Sequence, residues 1–357
     1  MTQQELTLYN LGENLDKLAN LDPRGYGVCN ILYEASRKHV GYPTIMSAAK
    51  KLFSAVKEGD VVYILTGFVL LPWKVAEMDG VVSSVLLCRA LVKGLGAKPV
   101  IICPEDNLAA VEKLAARVGL HLYRTVDEVK QYPCAMGVAA FTKNADEADR
   151  LAESYLKAGD PKAVIAIEAP GANAKGVYHN AVGLDTTAIE AKMDSLFIKA
   201  RERGILNIAI GDLGNEIGMA AIRPQLETFI PYAGEGRCRC GCGGGIAVTS
   251  ATDNIITATV SDWGATGLMA ALAFLCEDLE VIHDAALQAK AMETACQAGM
   301  IDMYGEKIPA IDGFGLDITC SVVTLMRECV REALKLRKTC ATWFEKTLEL
   351  GFFEGKA

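Results

Sequence analysis

Carboxylate side chains follow several apolar segments of this sequence, in short loops that are rich in glycine. In residues 206–220 an apolar stretch ends at Gly211, and Asp212, Asn215 and Glu216 come directly after it. Such a loop after a strand supplies oxygen ligands that suit a divalent cation or an ammonium group. The alternative is a solvated turn in which Asp212 and Asn215 only cap the next helix. From this loop alone the two interpretations are equally good.

A second acidic pair precedes the helix that we expect from about residue 80. A loop connects the apolar run 61–66 to this helix, and Glu77 and Asp79 lie at the end of the loop. Asp79 as an N-cap and Glu77 as a surface charge would be the ordinary interpretation. However, carboxylates that follow several strands are what a metal-assisted site at one sheet edge needs. We therefore predict that Mn²⁺ or Mg²⁺ is held by Glu77, Asp79, Asp212 and Glu216.

Glu168 ends another apolar segment, residues 163–168. A carboxylate there is costly unless it is paired, protonated or bound to a cation. His179, one of four histidines, lies in the polar loop that follows. It is a candidate acid or base, although a lone loop histidine is more often simply exposed. The predicted catalytic residues are Glu168, His179 and Glu216.

Candidate substrate contacts come from three loops: Thr66, Gly67, Asn215, Ser261, Trp263 and Gly264. The turn at residues 261–264 offers amides and hydroxyls to an anion. It lacks the Gly-Lys-Ser/Thr of a P-loop, and no dinucleotide-binding glycine motif precedes a helix. The sequence therefore predicts neither an ATP motif nor NAD. It also lacks the Gly-x-Ser-x-Gly elbow of many serine hydrolases.

Twelve cysteines occur in a chain with no export signal, so most of them are expected to be reduced core residues. Cys238, Cys240 and Cys242 are different because they are one residue apart in a glycine-rich segment. Three thiolates could bind a soft metal, but structural zinc sites usually carry paired Cys-x-x-Cys units, and no second pair lies nearby. The spacing therefore favours a redox-sensitive loop over a metal site.

Apolar segments without strict alternation are interspersed with helical ones, which is typical of a doubly wound α/β fold. We predict a mostly parallel sheet with helices on both faces, within a single domain of residues 1–357. Helical extensions are expected at about 1–58 and 280–357. Strands are predicted at 61–66, 99–103, 121–123, 135–139, 163–168, 205–210, 246–249 and 255–260. The main helices are predicted at 80–95, 107–118, 145–158, 187–203, 267–276, 281–298 and 319–347.

The composition limits the classes of partner. Of 357 residues, 51% are hydrophobic and 22% are charged, with a net charge of −8. No basic cluster is interleaved with aromatic residues, which disfavours nucleic-acid binding. No apolar run is long enough to span a bilayer, so we expect a cytoplasmic protein with no membrane partner. The apolar helices after residue 267 allow a homodimer contact, although core packing explains them equally well.

The order of these motifs resembles that of the D-glutamate cyclase-like family, from about residue 14 to 335. The matching segments begin with Leu21-Asp-Pro-Arg-Gly and Glu77-Met-Asp-Gly. The most specific one is Gly211-Asp-Leu-Gly-Asn-Glu-Ile-Gly-Met. Four positions differ from the family's usual residues: Met78, Val81, Leu213, and Asp262 in place of asparagine.

The resemblance implies a lyase that converts D-glutamate to 5-oxo-D-proline and water, with a divalent metal. One alternative is a manganese-dependent phosphatase that acts on a small phosphomonoester, because an archaeal relative resembles such an enzyme. A non-catalytic protein that binds a small anionic metabolite is the other alternative. In each case the partner is a small molecule.

Overall fold

The computed structural model describes residues 3–339 together with 350 and 351. The helices are α1 (Gln3–Ala19), α2 (Val28–Val40), α3 (Thr44–Ala55), α4 (Val81–Leu95), α5 (Leu108–Arg117), α6 (Val126–Gln131), α7 (Ala145–Gly159), α8 (Asp194–Glu202), α9 (Arg223–Phe229), α10 (Ser261–Leu275), α11 (Ala285–Gln297) and α12 (Leu316–Thr339). The strands are β1 (Val61–Thr66), β2 (Val69–Leu70), β3 (Val75–Ala76), β4 (Lys98–Cys103), β5 (His121–Tyr123), β6 (Ala135–Ala140), β7 (Ala163–Ile167), β8 (Leu206–Gly211) and β9 (Ile255–Thr257).

Seven strands form one parallel sheet in the order β5-β6-β4-β1-β7-β8-β9. The chain builds outwards from β1 through β4 and then returns to the other side of β1 at β7. The strand order thus reverses between β1 and β7, where Thr66 is paired with Ile167. Crevices outside the carboxyl ends at such a switch point are the usual ligand sites of this architecture.

Helices cover both faces of the sheet, which confirms the predicted doubly wound fold. Val62 and Ile64 of β1 belong to the core shared with α3, α4 and α10. Tyr63 and Leu65 belong to the core on the opposite face, shared with α7 and α8. Strands that are buried on both faces have no polar side to alternate with, which explains their continuous apolar sequences.

Helix α10 begins at Ser261, six residues before the predicted start at 267. Two glycines in its first turns obscure the helical pattern, and both are there for close packing. A Cβ at Gly264 would lie 2.8 Å from Ile210 of β8, and one at Gly267 would lie 2.5 Å from Ile45 of α3. The early start places Ser261 at the sheet edge.

The predicted strand at 246–249 is wrong, because its backbone pairs with loops rather than with the sheet. Ile246 N–H donates to Tyr232 O, and Val248 N–H donates to Gly214 O. An apolar run of four residues does not distinguish a strand from a buried loop. The helix predicted from 187 is also shorter than expected, since α8 begins at Asp194.

The predicted N- and C-terminal extensions are largely helical, as α1–α3 and α11–α12 show. Residues 1–2, 340–349 and 352–357 of these extensions lie outside the described residues. The segment 298–315 is an exception, because it forms loops that return to the sheet edge. There Met78 N–H donates to Ile301 O, and Ile301 N–H donates to Ala76 O.

Helix α10 is buried along its length within the core. Core packing therefore explains its apolar sequence, and a homodimer contact through the C-terminal helices stays a prediction. Among the described residues, none of the helices combines the length and the apolarity that crossing a membrane requires.

Asp16 of α1 fixes the start of α3, which packs against α10. Its carboxylate accepts N–H groups of Thr44 (2.7 Å) and Ile45 (3.0 Å) and the Tyr33 hydroxyl (3.1 Å). Burial raises the pKa of Asp16 to about 6, so it is mostly ionised at neutral pH. It supplies the N-cap that Pro43, just before α3, cannot supply.

We expect Asp16→Ala to lower the free energy of unfolding by about 2 kcal/mol, because two buried amides lose their acceptor. Asp16→Asn retains one acceptor oxygen and should cost less than half of this. Urea denaturation at pH 7 measures both changes. Equal stabilities of Asp16→Ala and the parent protein would contradict the proposed cap.

Candidate active site

The carboxyl edge of the sheet gathers most of the predicted acidic residues. Oxygen atoms of Asp79, Asp212 and Asp312 all lie within 4.8 Å of one another, and so do those of Glu168, Asp212 and Glu216. Asp212 belongs to both groups and therefore stands at their centre. Its position follows from β8, which ends one residue earlier at Gly211.

Asp79 joins the starts of two helices at this edge. Its Oδ1 accepts the N–H groups of Gly80 and Asp262, both at 2.8 Å, and its Oδ2 accepts that of Ser261 at 3.2 Å. Asp262 accepts the N–H of Ser83 at 2.8 Å in return. Each aspartate thus stabilises the N-terminus of the other's helix, where partial positive charge is concentrated.

Glu216 holds the acidic loop in shape. Its Oε1 accepts the N–H groups of Asp212 (3.0 Å) and Leu213 (2.7 Å), and its Oε2 accepts that of Gly214 (2.5 Å). With both oxygens engaged in this way, the loop folds around its own carboxylate. Glu216 is therefore placed to fix the backbone that carries Asp212.

Glu168 occupies a strained position at the end of β7. Its φ of 44° lies in the left-handed region, which is unusual for a residue that is neither glycine nor asparagine. Ser261 Oγ donates to its Oε2 at 2.6 Å. The turn directs this carboxyl group towards Asp212 and Glu216 at the switch point.

Two residues of the site do not follow a strand, so the prediction from strand ends did not include them. Asp312 comes from the looped segment 298–315, and Arg24 Nη2 lies 2.9 Å from its Oδ2. The Arg24 guanidinium also stacks over the Phe314 ring, 4.6 Å from its centroid. Arg24 belongs to the segment Leu21-Asp-Pro-Arg-Gly, and that motif was the available signal. No strand precedes Asp312, so strand-end reasoning could not find it.

Glu77 is buried beside these groups without belonging to either of them. It lies in the segment that bridges to Ile301, close enough to Asp79, Asp302 and Asp312 for their charges to act on it. The alternative interpretation of Glu77 as a surface charge is therefore wrong, whereas its predicted role as a metal ligand stays a prediction.

Burial dominates the electrostatics of the cluster. It raises the pKa values of Glu77, Asp79, Glu168 and Asp212 well above the ordinary range, and neighbouring carboxylates raise them further. At Asp312 the guanidinium of Arg24 opposes this effect. The Arg24 guanidinium does not balance the charge of so many carboxylates, so the cluster lacks positive charge. Hard oxygen donors of this kind fit a divalent cation.

The backbone amides of Gly67 and Gly264, two of the candidate substrate contacts, already donate within the protein. Gly67 N–H donates to Glu168 O at 3.1 Å, and Gly264 N–H donates to Val260 O at 3.3 Å at the start of α10. The carbonyl of Glu168 thereby ties β7 to the loop after β1.

Other predicted substrate contacts have free polar atoms. Thr66 Oγ1 and Trp263 Nε1 are buried, and neither has a hydrogen-bond partner among the described residues. Ser261 is engaged with Glu168, as described above. Asn215 Nδ2 donates to the backbone oxygen of His179 at 3.0 Å, which ties the acidic loop to the loop of residues 168–193.

His179 is placed next to cysteines. Its Nε2 lies 3.1 Å from Cys240 Sγ and 3.5 Å from Cys242 Sγ. Its backbone, rather than its ring, makes the contact with the acidic loop through Asn215. The catalytic role predicted for its ring stays a prediction.

Comparison with known proteins agrees with the motifs. The family described as "D-glutamate cyclase-like, C-terminal" matches residues 15–327. The chain belongs to this family. Human mitochondrial D-glutamate cyclase is 28% identical over 180 residues, which are 47% of this chain and 28% of the human protein. The match thus spans well under half of that relative's length.

Gly80 packs directly against the strained turn at Glu168, so a substitution at Gly80 tests how closely this turn is packed. Its φ is +74°, and an added Cβ would lie 2.6 Å from Glu168 Cβ and 2.7 Å from Ile167 O. We expect Gly80→Ala to destabilise the protein by about 3 kcal/mol, from backbone strain plus overpacking.

Gly119→Ala is the matched control, because its φ is +79° and nothing lies within 4 Å of an added Cβ. It should cost only about 1 kcal/mol. Chemical denaturation compares the two variants. Equal losses of stability in the two variants would show that the close approach of the added Cβ to Glu168 costs nothing beyond backbone strain.

The raised pKa values predict an unusual pH dependence for the metal-free protein. Groups whose pKa is raised by folding bind more protons in the native state, so their contribution to stability is greatest at low pH and is lost as the pH rises. The loss should begin near pH 4, the ordinary carboxyl pKa being about 4, and continue past pH 6. Asp262, with a pKa raised to about 6, is one contributor.

Thermal unfolding at several pH values, with and without Mn²⁺ or Mg²⁺, measures this effect. The cation should raise the unfolding temperature more at pH 8 than at pH 5. Asp212→Asn should reduce both the pH slope and the response to cation. A cation response that is unchanged in Asp212→Asn would place binding elsewhere.

Proposed function

We propose that this protein cyclises D-glutamate to 5-oxo-D-proline and water at the carboxylate site, with the help of a divalent cation. The observation that supports this most is the convergence of buried carboxylates on Asp212 at the switch point of a D-glutamate cyclase-like chain. The human relative is named for the same reaction, as a D-glutamate cyclase.

The donor set indicates which residues would hold the cation. Asp212 is the first, since it belongs to both carboxylate groups, and Asp79 and Asp312 have oxygen atoms within 4.8 Å of it. Glu216 is engaged by backbone amides and would hold Asp212 in place. When bound, Mn²⁺ or Mg²⁺ would supply positive charge that polarises a carboxyl oxygen of the substrate.

Glu168 is suited to proton transfer. Burial and its acidic neighbours raise its pKa, so it holds a proton under conditions where an exposed glutamate would not. In the reaction, the amine nitrogen bonds to the γ-carbon and the bond from that carbon to one oxygen breaks. The oxygen leaves as water with two protons, one from the Glu168 carboxyl and one from the amine nitrogen. The proton released by the initially charged amine passes to a neighbouring carboxylate.

The site would also orient the substrate. Thr66 Oγ1 and Trp263 Nε1 have no hydrogen-bond partner within the described part of the chain, and both can donate to carboxylate oxygens. The ring that forms has five members, so holding the chain in a bent conformation removes much of the entropic barrier. Arg24, already paired with Asp312, balances the charge at the other side of the cluster.

A phosphomonoesterase using the same carboxylates is the competing assignment. Phosphoryl transfer favours several cationic contacts with the phosphate oxygens. In the part of the chain that the structure describes, the carboxylate cluster has an ion pair with Arg24 alone. This shortage of cations supports the cyclase proposal.

The test is formation of 5-oxoproline from D-glutamate by the full chain with Mn²⁺ or Mg²⁺, followed by chiral mass spectrometry. Asp212→Asn and Glu168→Gln should each lower kcat by at least about 100-fold, since each removes an electrostatic or acid–base contribution. Asp16→Asn, a buried aspartate outside the site, should retain activity.

L-Glutamate and a panel of phosphomonoesters complete the assay. Turnover of a phosphomonoester that is lost in Asp212→Asn, without any 5-oxoproline, would replace the proposal with the phosphatase. Saturable binding of D-glutamate without any turnover would reduce the protein to a metabolite-binding role.

A further inference from the structure

A second cluster of potential metal ligands lies on the loop side of the fold. It consists of His179, Cys238, Cys240 and Cys242, whose ligand atoms all lie within 4.8 Å of one another. Besides the two contacts of His179 Nε2 given above, Cys238 Sγ lies 3.4 Å from Cys242 Sγ. The fourth ligand that the cysteine spacing lacked is thus a histidine from a distant loop.

Glycines allow three sulfur atoms from five consecutive residues to converge. Gly241 and Gly243 have φ values of +78° and +83°, a conformation that other residues rarely adopt. They flank Cys242, so the backbone can turn sharply on each side of it. An extended segment would instead place the side chains of residues 238, 240 and 242 along one edge, about 7 Å apart in turn.

We propose that these four residues form a Cys₃His site for Zn²⁺. A tetrahedral zinc ion with bonds of about 2.3 Å to sulfur and about 2.0 Å to nitrogen separates its ligands by about 3.5–3.8 Å. The separations of 3.1, 3.4 and 3.5 Å in the structure are close to these values, and the remaining pairs are within 4.8 Å. Three sulfurs and one imidazole nitrogen select a soft divalent metal over Mg²⁺ or Ca²⁺.

The surroundings of Cys242 suit a thiolate. Asn173 Nδ2 and the N–H of Gly244 each donate to its Sγ at 3.4 Å. Hydrogen bonds to a ligating sulfur orient it and stabilise its negative charge.

The site would fasten a long irregular segment. Residues 230–254, between α9 and β9, contain neither helix nor strand, and irregular segments of this length usually need a further constraint. The ligands connect this segment to the loop of His179, and Cys240 N–H donates to Gly183 O at 3.0 Å in the same region. Zinc would therefore act as a structural ion near the acidic loop.

The decisive measurement is the metal content of the full chain, expressed with zinc in the medium, by plasma mass spectrometry. We expect about one zinc ion per chain in the parent protein and in Cys134→Ser, whose thiol is exposed and outside the cluster. Cys238→Ser, Cys240→Ser and Cys242→Ser should each lose at least about tenfold in zinc affinity. Asp212→Asn should keep its zinc, which separates this site from the carboxylates whatever the reaction proves to be.

Cobalt keeps the test valid if a cysteine variant does not fold. Replacement of zinc by Co²⁺ in the parent protein should give the visible d–d bands of a tetrahedral ion and thiolate charge-transfer bands. A parent protein without zinc and without these bands overturns the proposal. So does a Cys238–Cys242 disulfide found by peptide mass spectrometry in protein isolated with zinc present.

Discussion

The repulsion among buried carboxylates at the carboxyl edge of the sheet is the constraint on which the rest of this structure depends. Asp79, Glu168, Asp212 and Asp312 are buried, and the other three each have an oxygen atom within 4.8 Å of Asp212. Desolvation and mutual repulsion both oppose their ionisation. The protein responds with backbone amides from two helix starts, with amides of the acidic loop and with Arg24. These contacts are local, so they hold the carboxylates in place without neutralising the whole cluster. The remaining negative charge is the property that would let the site bind the divalent cation proposed above.

The topology of the sheet determines where this cluster forms. A parallel sheet directs every strand's carboxyl end to one edge, and the reversal of strand order between β1 and β7 opens a crevice there. The two helices α4 and α10 then present their N-termini to the same crevice, so their amides meet the carboxylates. Glycine at positions 80 and 264 permits this approach, because a side chain at either position would collide with β7 or β8. The glycines that let the helices pack closely therefore also let the helix amides reach the carboxylates.

Sequence reasoning located members of the carboxylate cluster where they directly follow a strand. Glu168 and Asp212 were found in this way, since a continuous apolar segment ending in a carboxylate indicates both the strand and its exposed end. Asp312 was missed because it enters from a loop whose position depends on tertiary contacts with residues 76–78. The start of α10 was misplaced because its glycines, which serve packing, resemble helix breakers. The partnership of His179 with the cysteines was missed for a similar reason, as nothing in their spacing reveals a contact between two long loops.

The two clusters divide the chemistry of the loops between hard and soft ligands. Oxygen donors line the sheet edge, whereas sulfur and imidazole donors lie on irregular segments that have little secondary structure to support them. The clusters meet through Asn215, whose side chain binds the backbone of His179 while its neighbours Asp212 and Glu216 belong to the carboxylate site. An ion held by the cysteines would thus restrict the same loop that Glu216 folds from within. Because the reaction proposed here needs Asp212 fixed to a fraction of an ångström, a rigid support for its loop is a physical requirement for catalysis.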